Sequence, residues 1–148
     1  MKYISVINTI NRSKNIVERS LRAIITQQIK PLKIILVDQN ETALVLPDEI
    51  KSNPLIEVTR VNKKSISEAR NSITVPAGTD YIFFCDDDGY ACDDYSETLQ
   101  NLINKFPDLG LQITAVLIIK IDICLWFLVF LKNPFGFSTP ARPIATSS

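Results

Sequence analysis

The feature that most constrains this chain is an apolar run that ends in three consecutive carboxylates. Residues Tyr81 to Cys85 are apolar and aromatic, and Asp86, Asp87 and Asp88 follow them directly. A short apolar run bounded by turn signals indicates a buried strand of a parallel sheet. Ligands of open α/β sheets bind beyond the carboxyl ends of the strands. Because three adjacent acids repel one another, they are typical of a site that holds Mg²⁺ or Mn²⁺. The alternative is a polar turn that caps the next helix.

Strand-like and helix-like segments alternate along the first 110 residues. The pattern predicts strands over 4–7, 33–38, 56–61 and 80–85, and helices after residue 13, over 67–74 and up to Phe106. This alternation indicates βαβ units and a mostly parallel sheet flanked by helices. Three predicted strands end in polar residues, namely Thr9, Asp38 and Asp86. Since the carboxyl ends of parallel strands share one edge, these residues are expected to lie close together.

The composition excludes several classes of function. Lys plus Arg and Asp plus Glu are both 16, so there is no basic excess for nucleic-acid binding. The chain has no histidine, which excludes histidine-dependent triads and histidine-ligated zinc within it. Neither a GxGxxG motif after the first strand nor a Walker A motif is present, so standard dinucleotide-binding and P-loop folds are not expected.

Cysteine usage and the N-terminus bear on the compartment. The three cysteines, Cys85, Cys92 and Cys124, form no CxxC pair, which fits a reducing compartment. The first residues lack the longer apolar core of a signal peptide and are better interpreted as the first strand. We therefore expect a cytoplasmic protein, with membrane association through residues 113–131 as an open alternative.

Four blocks of the sequence resemble the donor half of family 2 glycosyltransferases, which are inverting enzymes of the GT-A fold. The blocks are residues 5–12, 35–38, 67–71 and 80–88, in the family's order and at similar spacing. The resemblance implies an α/β, Rossmann-like GT-A nucleotide-diphospho-sugar transferase fold. It covers residues 1–110 as a donor-binding domain. The fold is expected to be incomplete, because nothing after Gly110 resembles the acceptor half with its catalytic base.

The same resemblance implies roles for individual residues. Nucleotide-sugar contacts fall on Thr9 in the base pocket, on Asp38 as acceptor from the base, typically uracil, and on Arg70, Asp86 and Asp87. The DxD motif falls on Asp86 and Asp88, which are the implied metal ligands. No catalytic residue is identified.

The implied reaction is transfer of a sugar from a nucleoside-diphosphate sugar, expected to be a UDP-sugar, to a glycan or other hydroxyl acceptor. A divalent Mn²⁺ or Mg²⁺ ion would stabilise the leaving diphosphate as a Lewis acid. The sequence departs from the family around Thr9, where Asn8 and Ile10 replace a proline and an aromatic residue. It also lacks the glycine that usually precedes the block 67–71, where Lys64 and Ser65 stand instead.

Two alternative functions remain open from the residues alone. One is a non-catalytic nucleotide- or metal-binding module, or an inactive fragment of the enzyme. The other is a phosphoacceptor receiver-like domain, which also clusters acids at strand ends but needs a lysine at a later strand end. Lys120 fits that position poorly.

Residues 111–148 form a strongly apolar segment followed by a tail rich in Pro, Ser and Thr. The segment 113–131 approaches the roughly 20 residues that span a bilayer, but Lys120 and Asp122 lie near its middle. The summed insertion free energy is near zero. The remaining interpretations are a further strand over 111–119 and, beyond about residue 120, sequence of a truncated or frame-shifted product that does not belong to the family.

Overall fold

The computed structural model describes residues 1–105 and the backbone of two further strands. The elements in chain order are β1 (Tyr3–Thr9), α1 (Lys14–Ile25), β2 (Lys33–Asp38), α2 (Asp48–Lys51), β3 (Ile56–Arg60), α3 (Ile66–Asn71), β4 (Tyr81–Asp86), α4 (Tyr95–Lys105), β5 (Leu111–Thr114) and β6 (Leu128–Leu131). The predicted alternation of strands and helices is confirmed.

The main sheet has four parallel strands in the order β3-β2-β1-β4. Its register places Thr9 opposite Asp38 and Asn8 opposite Asp86. The expected convergence of three polar strand ends at one edge is therefore confirmed. Strands β5 and β6 pair antiparallel, and β6 lies beside β4.

Apolar side chains on both faces of the sheet explain why its strands are almost continuously apolar. Ile7 and Phe83 belong to the cluster on one face, which packs against Leu21 of α1 and Leu99 of α4. Residues of alternate register form the cluster on the other face, namely Ile4, Val6, Ile35, Val37 and Phe84, which pack with Ala69 of α3. Strands covered on both faces lose the polar alternation of a half-exposed sheet.

The helices lie close to their predicted positions, with one shorter than expected. Val17, Leu21 and Ile24 are the buried apolar positions of α1, as their spacing predicts. The sequence Ser65-Ile66-Ser67-Glu68 is a capping box, which predicts a helix start at Ser65. Ser65 indeed caps α3 by accepting a hydrogen bond from the backbone N–H of Glu68. Helix α3 ends at Asn71 rather than at residue 74. Three β-branched residues and Pro76 follow it, and both features disfavour helix.

Most of the apolar tail lies outside the described residues. Of the predicted strand 111–119, residues 111–114 form β5. The remainder of that strand, most of the candidate membrane segment 113–131 and the Pro-, Ser- and Thr-rich end are not described. Within the described residues, no helix has the length and apolar character needed to cross a membrane.

Candidate functional site

The three acids after β4, which we call the acid turn (Asp86–Asp88), are held by residues from β1 and the loop that follows it. Thr9 donates a hydrogen bond from Oγ1 to Oδ2 of Asp87 at 2.8 Å. Arg12 binds two of the acids, through Nε to Oδ1 of Asp87 at 3.2 Å and through Nη2 to Oδ2 of Asp88 at 2.9 Å. The buried Asp87 therefore has both carboxylate oxygens occupied.

Side chains of helix α1 form hydrogen bonds with the backbone of the acid turn. The buried hydroxyl of Ser20 lies 2.9 Å from the carbonyl oxygen of Asp87 and within hydrogen-bond reach of that of Gly89. Arg19 donates to the carbonyl oxygen of Asp88 at 3.3 Å, and its guanidinium lies 4.9 Å from the centre of the Tyr90 ring. The hydrogen bonds from α1 therefore end on backbone carbonyl oxygens of the turn, and they do not occupy the carboxylates of Asp86 and Asp88.

Asp86 differs from its two neighbours. Its side chain is exposed and forms no hydrogen bond or ion pair with any other described residue. Partial burial raises the pKa of this carboxyl, and the negative charges of Asp88 and Asp87 raise it further, whereas Arg70 and Arg12 act in the opposite direction. A cation placed beside Asp86 would relieve this repulsion.

A cavity of about 260 Å³ opens at the carboxyl edge of the sheet, next to the acid turn. Its charged lining residues are Arg12, Lys64, Arg70, Asp86 and Asp87. Its apolar lining residues are Ile10, Ile66 and Phe84. Cations, carboxylates and apolar surface together suit a ligand that carries both phosphate and a flat ring.

Two buried polar atoms among the residues that line this cavity have no hydrogen-bond partner in the described part of the chain. They are Nε of Arg70 and Oδ1 of Asn8. The Arg70 guanidinium lies 4.5 Å from the centre of the Phe84 ring, so the ring supports one face of it. Since buried polar groups are normally paired, these atoms are candidate contacts for a ligand.

Asp38 lies at the predicted strand end but has a different set of partners from those expected. It is 1% exposed and accepts hydrogen bonds from the backbone N–H groups of Asn40 and Leu44. It also forms an ion pair with Arg60, at 2.9 Å. Burial raises the pKa of its carboxyl, but the hydrogen bonds from Leu44 and Asn40 and the charge of Arg60 outweigh burial, so the pKa lies below its ordinary value.

The neighbour of Asp38, Gln39, lines the cavity. Its Nε2 donates to the carbonyl oxygens of Lys63 and Ser65, so its Oε1 is the atom left to accept a hydrogen bond. The amide side chain of Gln39 therefore occupies the place at the cavity wall that the sequence assigned to Asp38.

The structure brings some of the predicted residues together and not others. Arg70, Asp86 and Asp87 line the cavity, whereas Thr9, Asp38 and Asp88 do not. Sequence reasoning missed Arg12, Gln39, Lys64 and Asn8 as lining residues. Asn8 and Arg12 lie inside the block 5–12, Gln39 directly follows the block 35–38, and Lys64 lies three positions before the block 67–71. Position in the sequence alone therefore did not identify any of them as lining residues.

The acid turn offers carboxylate oxygens as donor atoms for a divalent metal ion. Within the described residues, no group of three or more acidic or cysteine side chains surrounds a common point. Both oxygens of Asp86 and Oδ1 of Asp88 lack a partner among those residues. Two carboxylates fit a Mg²⁺- or Mn²⁺-type ion whose remaining ligands are water and substrate phosphates.

A parallel sheet with its candidate site at the carboxyl edge defines this chain as a Rossmann-like α/β domain of the GT-A type. The sequence matches the model of Glycosyl transferase family 2 over residues 5–142. The chain belongs to that family.

Solved structures agree on the fold. The crystal structure of S. aureus TarS 1–349 is similar with a TM-score of 0.60 and 18% identity, over 72% of this chain and 33% of that one. The crystal structure of S. aureus TarS gives 0.55 and 19%, over 72% of this chain and 20% of that one. The complex of TarS 1–349 with UDP-GlcNAc gives 0.53 and 15%, over 72% and 32%. The chain thus spans a third or less of these proteins. The search of curated protein sequences found no significant match.

Proposed function

We propose that this chain is the donor-binding part of an inverting glycosyltransferase and that its cavity holds the nucleoside diphosphate of a sugar donor. The observation that carries the proposal is the cavity itself, in which Arg70, stacked on Phe84 and with an unpaired Nε, lies among two other cations and the free carboxylate of Asp86. Membership of Glycosyl transferase family 2 and the similarity to a TarS structure in complex with UDP-GlcNAc support it.

The base of the nucleotide fits beside Arg70 and Phe84 in the cavity wall. One face of the Arg70 guanidinium rests on Phe84, so the opposite face is the surface on which a planar base stacks. Oδ1 of Asn8 and Oε1 of Gln39 are both acceptors without a partner in the described residues. They suit donors such as the N–H of uracil and the hydroxyls of ribose, both of which a UDP-sugar presents.

The diphosphate fits the remaining cations that line the cavity. Arg12 and Lys64 supply positive charge, and the Arg guanidinium fork matches phosphate oxygens well. Asp86 and Asp88 would hold the Mn²⁺ or Mg²⁺ ion, which supplies charge neutralisation for the leaving diphosphate. Asp87 acts indirectly, because its two oxygens are occupied by Thr9 and Arg12 and fix the turn.

The transfer step itself needs groups that the described residues do not identify. Inversion requires a base that deprotonates the acceptor hydroxyl as it attacks the sugar. The acceptor, a glycan or another hydroxyl compound, and the catalytic base are expected from elements outside the donor site. Donor binding without turnover is therefore the activity to test first on this chain.

Calorimetric titration of UDP into the purified chain, with and without Mn²⁺, tests the donor site. Asp86→Asn removes a carboxylate without breaking any contact described for it, so we expect it to abolish the gain in UDP affinity that Mn²⁺ provides. Asp93→Asn, a change of the same kind at an exposed residue of the next loop, is the matched control.

Metal-assisted UDP binding that is lost in Asp86→Asn and retained in Asp93→Asn supports the proposal. A chain that is folded by circular dichroism and binds no UDP under either condition contradicts it. Equal loss of UDP affinity in both variants would mean that the net charge of the chain, and not the acid turn, causes the effect.

A further inference from the structure

One cation is shared by two members of the acid turn. Arg12 contacts Asp87 through Nε and Asp88 through Nη2, at 3.2 and 2.9 Å. No other cationic side chain is paired with either carboxylate among residues 1–105. In this structure, Arg12 is therefore the cation that pairs directly with two of the three adjacent acids.

We infer that Arg12 is a built-in counter-cation of the acid turn. Arg12 competes with the divalent metal ion for the Asp88 carboxylate, and it releases Asp88 when the metal ion binds. The inference rests on the proposed function, because it concerns the same donor site. It adds a residue that regulates occupancy of that site and that no DxD pattern includes.

The two partners of Arg12 differ in a way that favours release of Asp88. Asp87 is buried and keeps its hydrogen bond from Thr9, whereas the side chain of Asp88 is 52% exposed. An exposed ion pair is worth little, so an arriving metal displaces the Asp88 contact at small cost. The Asp87 carboxylate is only 10% exposed, so solvent screens its contact with Arg12 less, and this contact anchors the arginine while Asp88 turns to the ion.

Arg12 also has space to move. It lines the donor cavity and a neighbouring, shallower cavity of about 490 Å³, and its side chain is 40% exposed. Lys64 lines both cavities as well. Asn11 has a φ of 53°, a left-handed conformation, and its N–H donates to Oδ1 of Asn40. The backbone before Arg12 is thus held in place, so the adjustment falls on the arginine side chain.

Binding of Mn²⁺ alone, measured by the loss of the free-ion electron paramagnetic resonance signal, tests this inference without nucleotide or turnover. Arg12→Gln removes the competing charge a few ångströms from the ion. We expect Mn²⁺ to bind about tenfold more tightly, the order given by one unit charge at that distance in a partly screened site. Arg12→Lys keeps the positive charge but loses the guanidinium that contacts both carboxylates, so we expect a smaller gain in Mn²⁺ affinity.

Arg19→Gln is the matched control, because it removes the same charge from the same region, and Arg19 contacts the carbonyl oxygen of Asp88 and the Tyr90 ring rather than a carboxylate. We expect it to change Mn²⁺ affinity by less than about threefold, since it vacates no carboxylate. Circular dichroism of each variant reports folding, and Arg12→Lys serves if Arg12→Gln does not fold.

Tighter Mn²⁺ binding in Arg12→Gln than in Arg19→Gln supports the inference. A purely structural role of Arg12 predicts the opposite, because a loosened turn would bind the ion less well. Unchanged or weaker Mn²⁺ binding in folded Arg12 variants overturns the inference, as does an absence of Mn²⁺ binding in every variant. UDP binding is measured separately, so failure of the inference about Arg12 can be distinguished from failure of the proposed donor site.

Discussion

At the scale of single residues, the carboxylates at the strand ends have sharply different surroundings. Asp38 is buried under hydrogen bonds and an ion pair, and Asp87 has both oxygens occupied. Asp86 is exposed, faces a cavity and has no described partner. Chemically identical side chains at one sheet edge are therefore expected to divide between holding the fold and binding a ligand.

Asp38→Asn should destabilise the protein in a pH-dependent manner. At pH 7 we expect a loss of about 2–4 kcal/mol in the free energy of unfolding, because a buried ion pair and its hydrogen bonds are broken. The folded pKa of Asp38 lies below its unfolded value of roughly 3.9, so its stabilisation is complete above about pH 4. It is lost as the pH falls through the folded pKa.

Urea unfolding of the wild type and Asp38→Asn between pH 7 and pH 2.5 measures this effect. The difference in unfolding free energy should narrow below about pH 4. The exposed Asp93→Asn variant should stay within about 0.5 kcal/mol of the wild type throughout. A difference that is constant with pH would show that the ionised carboxylate of Asp38 is not what stabilises the fold.

Thr9→Val distinguishes two roles for Thr9. The substitution keeps the shape of the side chain but removes the donor to Asp87. If Thr9 only fixes the acid turn, stability falls by about 1–3 kcal/mol while UDP affinity changes by less than about threefold. If Thr9 contacts the base, as the family resemblance implies, UDP affinity falls by tenfold or more. Calorimetry and urea unfolding on the same preparation separate the two.

At the scale of secondary structure elements, buried polar side chains connect the acid turn and α4 to α1. Ser20 supports the turn, and Gln27 lies just after α1. Gln27 donates from Nε2 to the carbonyl oxygen of Cys92 at 2.8 Å and accepts at Oε1 from the backbone N–H of Ser96 at 2.9 Å. Ser96 in turn accepts at Oγ from the backbone N–H of Ile29. These bonds position the segment between β4 and α4.

Gln27→Leu should therefore destabilise the protein. Gln27 is 1% exposed, and its loss leaves the buried backbone N–H of Ser96 without its acceptor, whereas the carbonyl oxygen of Cys92 still accepts from the backbone N–H of Tyr95. We expect a decrease of about 1–3 kcal/mol in the free energy of unfolding, the cost of one orphaned buried group. Gln28→Leu, the same change at the exposed neighbour, is the control and should have little effect. Equal midpoints of urea unfolding for the two variants would contradict this role of Gln27.

At the scale of the whole molecule, donor binding should stabilise the folded chain. UDP with Mn²⁺ at about 100 times the Kd should raise stability by about 2.7 kcal/mol, equivalent to roughly 5–10 °C in Tm for a chain of this size. Arg70→Lys should lose most of this shift, because an ammonium group cannot stack on a base as a guanidinium does. Thermal unfolding followed by circular dichroism measures it. A full shift in Arg70→Lys would exclude the stacking role.

The domain boundary at residue 110 stays a prediction, as do the roles of the individual site residues. The family match continues to residue 142, while the described backbone beyond residue 105 is limited to β5 and β6. Expression of residues 1–110 beside the full chain, compared by UDP titration, would test whether the donor site needs the segment that follows.

The fold class, and the edge of the sheet at which the candidate site lies, follow from the order of residues alone. Apolar runs, the capping box at Ser65 and the polar strand ends all depend on local propensity and burial, and these are legible in the order of residues. The structure confirms that Thr9, Asp38 and the acid turn share one edge. Three features became visible only after folding. Asp38 forms an ion pair with Arg60 while Gln39 lines the cavity, and Arg12 bridges Asp87 and Asp88. Such contacts join residues more than 20 positions apart, and the rotamers and distances that select between adjacent candidates exist only after the chain has packed.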